Sequence, residues 1–203
     1  MKFDDPQMLR VSQPKDSILF AATQLPGHES QQEDCFVNFN DECFVVTDGG
    51  AGLPHGDVAA RLAGETALWG YKHIRQHKFY WLDKKLFMKR IFRSANLAVW
   101  QKRREQGFEE GLATTLLVAM VGPRSCWVGS AGDTQAFLWR DGAVQKLIRE
   151  DLDHLGRLTK AVGFVHFGLI PQFVASNFGV GDALLLVTSG AGNYLLEQEI
   201  ALI

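Results

Sequence analysis

The sequence predicts an α+β domain, and three observations carry that expectation. Eight short apolar runs bounded by turn residues read as strands, two longer stretches repeat apolar residues near helical period, and both helical stretches fall between the third and fourth strands. Strands, then a helix pair, then strands again fits a layered domain better than strict βαβ alternation.

The first three runs are "SILFAAT" (Ser17 to Thr23), "CFVNF" (Cys35 to Phe39) and "ECFVVT" (Glu42 to Thr47). The first helix is read from Val58, Leu62, Ala63, Ala67, Tyr71 and Ile74 in "DVAARLAGETALWGYKHI", the second from Leu86, Phe87, Ile91, Ala95, Ala98 and Val99. Strands resume with "TTLLVAMV" (Thr114 to Val121), "CWVGSAG" (Cys126 to Gly132) and "QAFLWRDG" (Gln135 to Gly142), whose "RDG" before Ala143 is a hairpin turn. "QFVASNF" (Gln172 to Phe178) and "DALLLVTSG" (Asp182 to Gly190) complete the set. The closing "NYLLEQEIALI" reads as a short helix whose Leu195, Leu196, Ile200 and Leu202 cover apolar surface. With 203 residues and no linker or repeat, a single domain over 1–203 is expected.

At 46% hydrophobic and 22% charged residues the chain is globular in composition, not disordered. A formal net charge of -2 and the lack of a long basic run give no footprint for nucleic acid. The densest basic stretch, "KKLFMKRIFR" (Lys84 to Arg93), interleaves its charges with apolar residues as the solvated face of a helix does. Three cysteines, Cys35, Cys43 and Cys126, have no CxxC spacing and suit a reducing compartment. No apolar run reaches transmembrane length, and the N-terminus lacks the apolar block of a signal peptide. A cytoplasmic protein without a membrane partner is expected.

The chemistry gathers around "FVVTDGGAG" (Phe44 to Gly52), where an apolar run meets one aspartate and then glycines. A strand ending in a turn accounts for it, and so does a metal or phosphate site. Upstream, Glu33 and Asp34 begin one strand and Asp48 ends the next. An antiparallel hairpin through "NFNDE" returns all three carboxylates to one end of the sheet. Packed carboxylates repel, so the cluster needs a cation or protons. Oxygen ligands without a neighbouring His or Cys favour Mg²⁺ or Mn²⁺ over zinc. His28, His55 and His154 share no ligand spacing and read as surface or loop residues, with His55 the exception to watch after the glycine loop. Thr114 and Thr115 read as strand residues pinning the sheet. "DGGAGL" lacks the spacing of a dinucleotide fingerprint.

Downstream, "GLATTLLVAMV", "VGSAGDTQAFLWRDG", "LTKAVG" and "GDALLLVTSGAGNYL" follow in order. Together with the acidic hairpin they resemble the metal-dependent serine/threonine phosphatases of type 2C, the PPM family, over about Leu19 to Leu196. The family's segments read roughly NED, DGMGG or DGHGG, GTTL, GDSRAYL.RDG, LTRALG and GD.LLL.TDG. The resemblance implies a four-layer αββα sandwich of two mainly antiparallel sheets flanked by helices, with a two-metal centre of Mn²⁺ or Mg²⁺ at one end. It assigns Asp48 as the carboxylate bridging the metals and Gly49 as the donor of a backbone carbonyl. Glu33 and Asp34 would hold metal-bound waters, and Asp133 matches an acid of a third metal. The implied catalytic residues are Asp48 and Asp34. The implied reaction is hydrolysis of a phosphoserine or phosphothreonine ester of a phosphoprotein by a metal-held water.

The sequence also departs from the family. TDG reads "TSG", placing Ser189 where a metal-binding aspartate is expected, and the sequence ends at Ile203 before an Asp-Asn motif on a last strand. Glu29 stands near the place of a phosphate-gripping arginine, and Gly50 replaces the Met or His after Asp-Gly. Two functions therefore stay open: a phosphatase with a depleted, weakly metal-binding site, or a silent pseudophosphatase acting as a phosphoprotein-binding module. Without the last strand, self-association along an uncovered sheet edge is expected.

Overall fold

The computed structural model describes residues 18–25, 32–49, 53–77, 83–108 and 111–194. They form β1 (Asp34–Phe39), β2 (Cys43–Asp48), α1 (Gly56–Arg75), α2 (Lys84–Lys102), β3 (Leu116–Gly122), β4 (Ser125–Ala131), β5 (Gln135–Arg140), β6 (Ala143–Lys146), β7 (Gln172–Asn177), β8 (Ala183–Val187) and α3 (Ser189–Gly192). A five-stranded sheet runs β1-β2-β3-β4-β7 and a three-stranded sheet runs β6-β5-β8. Every pairing within them is antiparallel. The fold is α+β, as the element order predicts.

Alternation along the strands builds the layers. Cys43 and Val45 of β2 and Leu116, Val118 and Met120 of β3 face α1 and α2, meeting Ala63, Tyr71, Met88, Ile91 and Phe92. The intervening Phe44, Val46, Leu117, Ala119 and Val121 face the smaller sheet and pack with Ala136 of β5 and Leu184 and Leu186 of β8. Strands buried on both faces read as the unbroken apolar runs seen in the sequence. Gly64 brings α1 close to the sheet, since a Cβ there would already touch Cys35 and Val37 at 3.5 and 3.6 Å. At its start, α2 is capped by Asp83, which accepts the Leu86 N–H at 2.8 Å.

The hairpins follow from local chemistry. Asn40 and Asp41 between β1 and β2, and Asp141 and Gly142 between β5 and β6, all hold positive φ. Such a turn matches the twist of the strands it joins, and Asn, Asp and Gly tolerate it best.

Two expectations need correction or restriction. Within the run Ser17 to Thr23, the described residues form no strand. Phe20 instead packs on Phe36 and Phe44, with ring centroids 6.3 and 5.5 Å apart, and Gln24 Nε2 donates to the Asp34 carbonyl at 3.0 Å. Side chains thus meet β1 where a paired backbone was expected. The terminal helix read in "NYLLEQEIALI" lies outside the described residues beyond Tyr194, and Asn193 and Tyr194 form a turn. The helix pair covers the larger sheet, and among the described residues no helix of similar length packs on the smaller one.

Candidate functional site

Register decides the geometry. Asp34 pairs with Asp48 across β1 and β2, which brings the two carboxylates to one end of the sandwich. The β8 strand ends at the same place. Ser189 Oγ donates to Asp48 Oδ2 at 2.7 Å and the Ser189 N–H reaches the same oxygen at 3.3 Å. Beside it, Thr188 Oγ1 donates to Asp34 Oδ2 at 3.1 Å. Two segments far apart in sequence therefore converge on one pair of acids.

The Asp48 main chain is held by two threonines that lie just before β3, not within it as the sequence suggested. Its N–H donates to Thr115 Oγ1 at 2.9 Å, and its carbonyl accepts the Thr115 N–H and Thr114 Oγ1, each at 2.9 Å. The sheet-pinning role read for these threonines is thus spent on the residue that matters most to the site.

Glycines bring the next pieces together. The Gly49 N–H donates to the Glu33 carbonyl at 3.1 Å, prolonging the hairpin ladder by one residue. A Cβ on Gly56, the first residue of α1, would stand 2.4 Å from the Gly49 oxygen and 2.9 Å from Glu33 Cδ. The Gly49 carbonyl and the Glu33 carboxyl group therefore share one small space that only a missing side chain keeps open. His55 just before it adopts φ 63° and sets its ring edge-on to Phe108 at 5.1 Å, a packing role at the start of α1.

Electrostatics mark the same spot. Burial, reinforced by the Asp48 charge and by Glu33, pushes the Asp34 carboxyl up to about 6 against the opposing hydrogen bond from Thr188. The Asp133 carboxyl, on the turn between β4 and β5, is also raised, by burial first and then by Asp48. Asp133 thus feels the same charge, although it lies on a separate loop.

The family follows from the sequence as a whole. Residues 28–199 match the family described as Protein phosphatase 2C. The chain belongs to the protein phosphatase 2C family. No curated protein sequence matches it. Solved structures agree on the fold. Serine/threonine phosphatase Stp1 from Staphylococcus aureus is 16% identical, with 95% of this chain and 85% of that one covered at a TM-score of 0.78. The Mycobacterium tuberculosis serine/threonine phosphatase PstP/Ppp is 17% identical over 85% of this chain and 78% of its own, at 0.71. PppA of Pseudomonas aeruginosa, described as a key regulatory component of T6SS, is 20% identical over 85% and 76%, at 0.71.

As a protein phosphatase 2C domain, the chain presents its acids unevenly. Among the described residues no three His, Cys, Asp or Glu side chains converge closely enough to hold an ion by themselves. What the hairpin register does bring together is Asp34 and Asp48, with the Gly49 N–H on the Glu33 carbonyl one position further along. Their oxygens are hard donors of the kind a hard divalent cation prefers. On the β8 side of Asp48 the neighbour is the Ser189 hydroxyl, a neutral donor to Asp48 Oδ2.

Sequence reasoning had no handle on three of these residues. Thr188 was one letter of a motif, Gly56 lay beyond the glycine loop, and the Thr115 bond to Asp48 spans 67 positions. A glycine at the first position of a helix that follows a glycine-rich loop is the one signal that was present.

Proposed function

We propose that the chain is a metal-dependent protein serine/threonine phosphatase whose site takes one Mn²⁺ or Mg²⁺ readily and a second one weakly. The family supports the reaction class. The observation that carries the finer reading is the convergence of Asp34, Asp48 and the Gly49 carbonyl at the end of the sandwich, with Ser189 on Asp48. Asp48 and the Gly49 carbonyl would hold the cation, and Glu33 and Asp34 would orient its waters. When bound there, a divalent cation makes water more acidic and neutralises charge on a phosphoryl oxygen. The residues of the chain would keep that water aligned. The three unpaired cysteines support placement in the cytoplasm.

One observation favours the second reading, a silent phosphoprotein-binding module. The Ser189 bonds satisfy Asp48 Oδ2 from within the chain, so the fold tolerates this acid without a cation. Mn²⁺ titration by calorimetry, followed by hydrolysis of para-nitrophenyl phosphate, separates the two. Metal-dependent turnover abolished by Asp48→Asn supports the phosphatase. Phosphopeptide binding without turnover at saturating Mn²⁺ supports the module. In either case β8 is an edge strand among the described residues, and concentration-dependent light scattering would report the proposed self-association along it.

A further inference from the structure

Asp151 lies outside the acid cluster, yet it grips the turn that carries Asp133. Its N–H donates to the Gly132 carbonyl at 2.9 Å, and its Oδ2 accepts the Gly132 N–H at 3.2 Å. Both polar groups of one peptide position are thus bound by a single residue. Asp151 Oδ1 in turn accepts Lys160 Nζ at 2.6 Å and Gln172 Nε2 at 3.0 Å. Its own carbonyl accepts the Thr159 N–H at 2.8 Å and Thr159 Oγ1 at 2.9 Å. With only 7% of its side chain exposed, this carboxylate is a buried ion with a full set of donors and a built-in counter-ion.

The grip extends to the site through close packing. Gly132 sits at φ +120°, and a Cβ on it would lie 2.6 Å from Thr115 Cγ2 and 2.7 Å from Thr115 Cβ. Thr115 accepts the Asp48 N–H at its Oγ1 and donates its own N–H to the Asp48 carbonyl. Gly132 therefore stands between the Asp151 carboxylate on one side and the anchor of Asp48 on the other, with Asp133 next along the chain.

We propose that Asp151, with Lys160 as its counter-ion, is a positioning residue that fixes the Gly132–Asp133 turn and, through Thr115, the Asp48 main chain. A carboxylate suits the task because it accepts the Gly132 N–H while its second oxygen takes the lysine. Without Lys160 the buried charge would be uncompensated, and the turn would lose the group that holds it. The relevance to metal rests on the phosphatase reading above, but the positioning itself does not.

Amide hydrogen exchange by NMR on the metal-free full chain tests it. In Asp151→Ala, exchange at the Gly132 and Asp48 amides should accelerate at least tenfold, whereas Val118 in the middle of β3 should keep its native rate. Asp151→Asn, which retains an acceptor for the Gly132 N–H, should restore most of the protection, and Lys160→Gln should fall between. Acceleration confined to Gly132, or spread equally to Val118, overturns the proposal. Mn²⁺ calorimetry on the same variants gives the second readout, with about tenfold weaker binding expected for Asp151→Ala. A native protein that takes up no Mn²⁺ would sink the phosphatase reading, and the exchange data would still decide the positioning.

Discussion

The two ends of β8 treat their carboxylates differently. Before the strand, Asp182 receives Arg140 Nε and Nη2 at 2.8 and 2.7 Å and the Gly179 N–H at 2.8 Å. The arginine bonds hold that carboxyl below its usual range. After the strand, Thr188 and Ser189 offer hydroxyl and amide donors to Asp34 and Asp48, and Asp34 is driven upward to about 6. Arg140 and Lys160 supply cations to Asp182 and Asp151, and among the described residues none is paired with Asp34. An acid kept costly in this way is in keeping with the divalent cation proposed above.

The contrast depends first on how tightly the acid end is packed. Gly56→Ala would drive a Cβ to 2.4 Å from the Gly49 oxygen and 2.7 Å from the Gly49 carbonyl carbon, backbone atoms that cannot swing aside. We expect a loss of about 3 kcal/mol in chemical denaturation, at the upper end of ordinary overpacking. Gly64→Ala on the same helix meets its nearest atom at 3.5 Å and gains helix propensity, so it should be neutral or stabilising by up to about 1 kcal/mol. Equal effects at both glycines would show that the Gly49–Glu33 space is not specially constrained.

Ser189→Asp sharpens the contrast by removing the neutral donor from Asp48. In chelator-treated protein the new carboxylate faces Asp48 and Asp34, and a cost of about 1–2 kcal/mol is expected from like charges at short range. With Mn²⁺ present the order should invert, because binding should tighten by at least about tenfold, or about 1.4 kcal/mol. Differential scanning calorimetry with and without Mn²⁺ reads both signs. A variant destabilised under both conditions would mean that the geometry around Ser189 does not admit an ion.

How much of this was legible in the sequence depends on range. The hairpin that pairs Asp34 with Asp48 could be read because both strands and the turn lie within fifteen residues and Asn40 and Asp41 announce the turn. The meeting of Asp48 with Ser189 came from the order of motifs and needed the whole fold. The Asp151–Gly132 grip gave no pattern at all, since Asp151 sits in an irregular stretch and its partners are main-chain groups. The strand expected from Ser17 to Thr23 failed in its described part for the converse reason. Ile18 and Phe20 pack against the core through their side chains while Leu19 is exposed, and the described backbone forms no strand.

The pH dependence of Asp34 gives a smaller effect with a definite direction. Its folded pKa lies near 6 and its unfolded value near 3.8, so the native state holds the proton more tightly. Stability from this group is therefore greatest below about pH 4 and declines as pH rises towards 6. Asp34→Asn removes the ionisation. In metal-free buffer the variant should exceed the native protein by about 1 kcal/mol at pH 7, a figure already discounted for the half-exposed position, and the difference should vanish near pH 4. Addition of Mn²⁺ at pH 7 should favour the native protein instead, because the ion uses the charge that folding resists.

Asp182→Asn closes the comparison from the other end of β8 and should have the opposite sign. Here the folded carboxyl lies below its unfolded value because the arginine bonds favour the charged form. Its contribution is present above pH 4 and is lost as pH falls through the folded pKa. The Asn variant should then be less stable than the native protein at pH 7 and converge with it in acid, mirroring Asp34→Asn. The effect should be the smallest of the four, since Arg140 is open to solvent and a screened pair contributes little. It should also shrink with added salt, whereas the half-buried Asp34 effect should persist. Urea midpoints for both variants at pH 4 and 7, in low and high salt, give the test. If Asp182→Asn and Asp34→Asn shift in the same direction at pH 7, the acids at the two ends of β8 are not treated differently, and the case for a solution cation at Asp34 loses its electrostatic support.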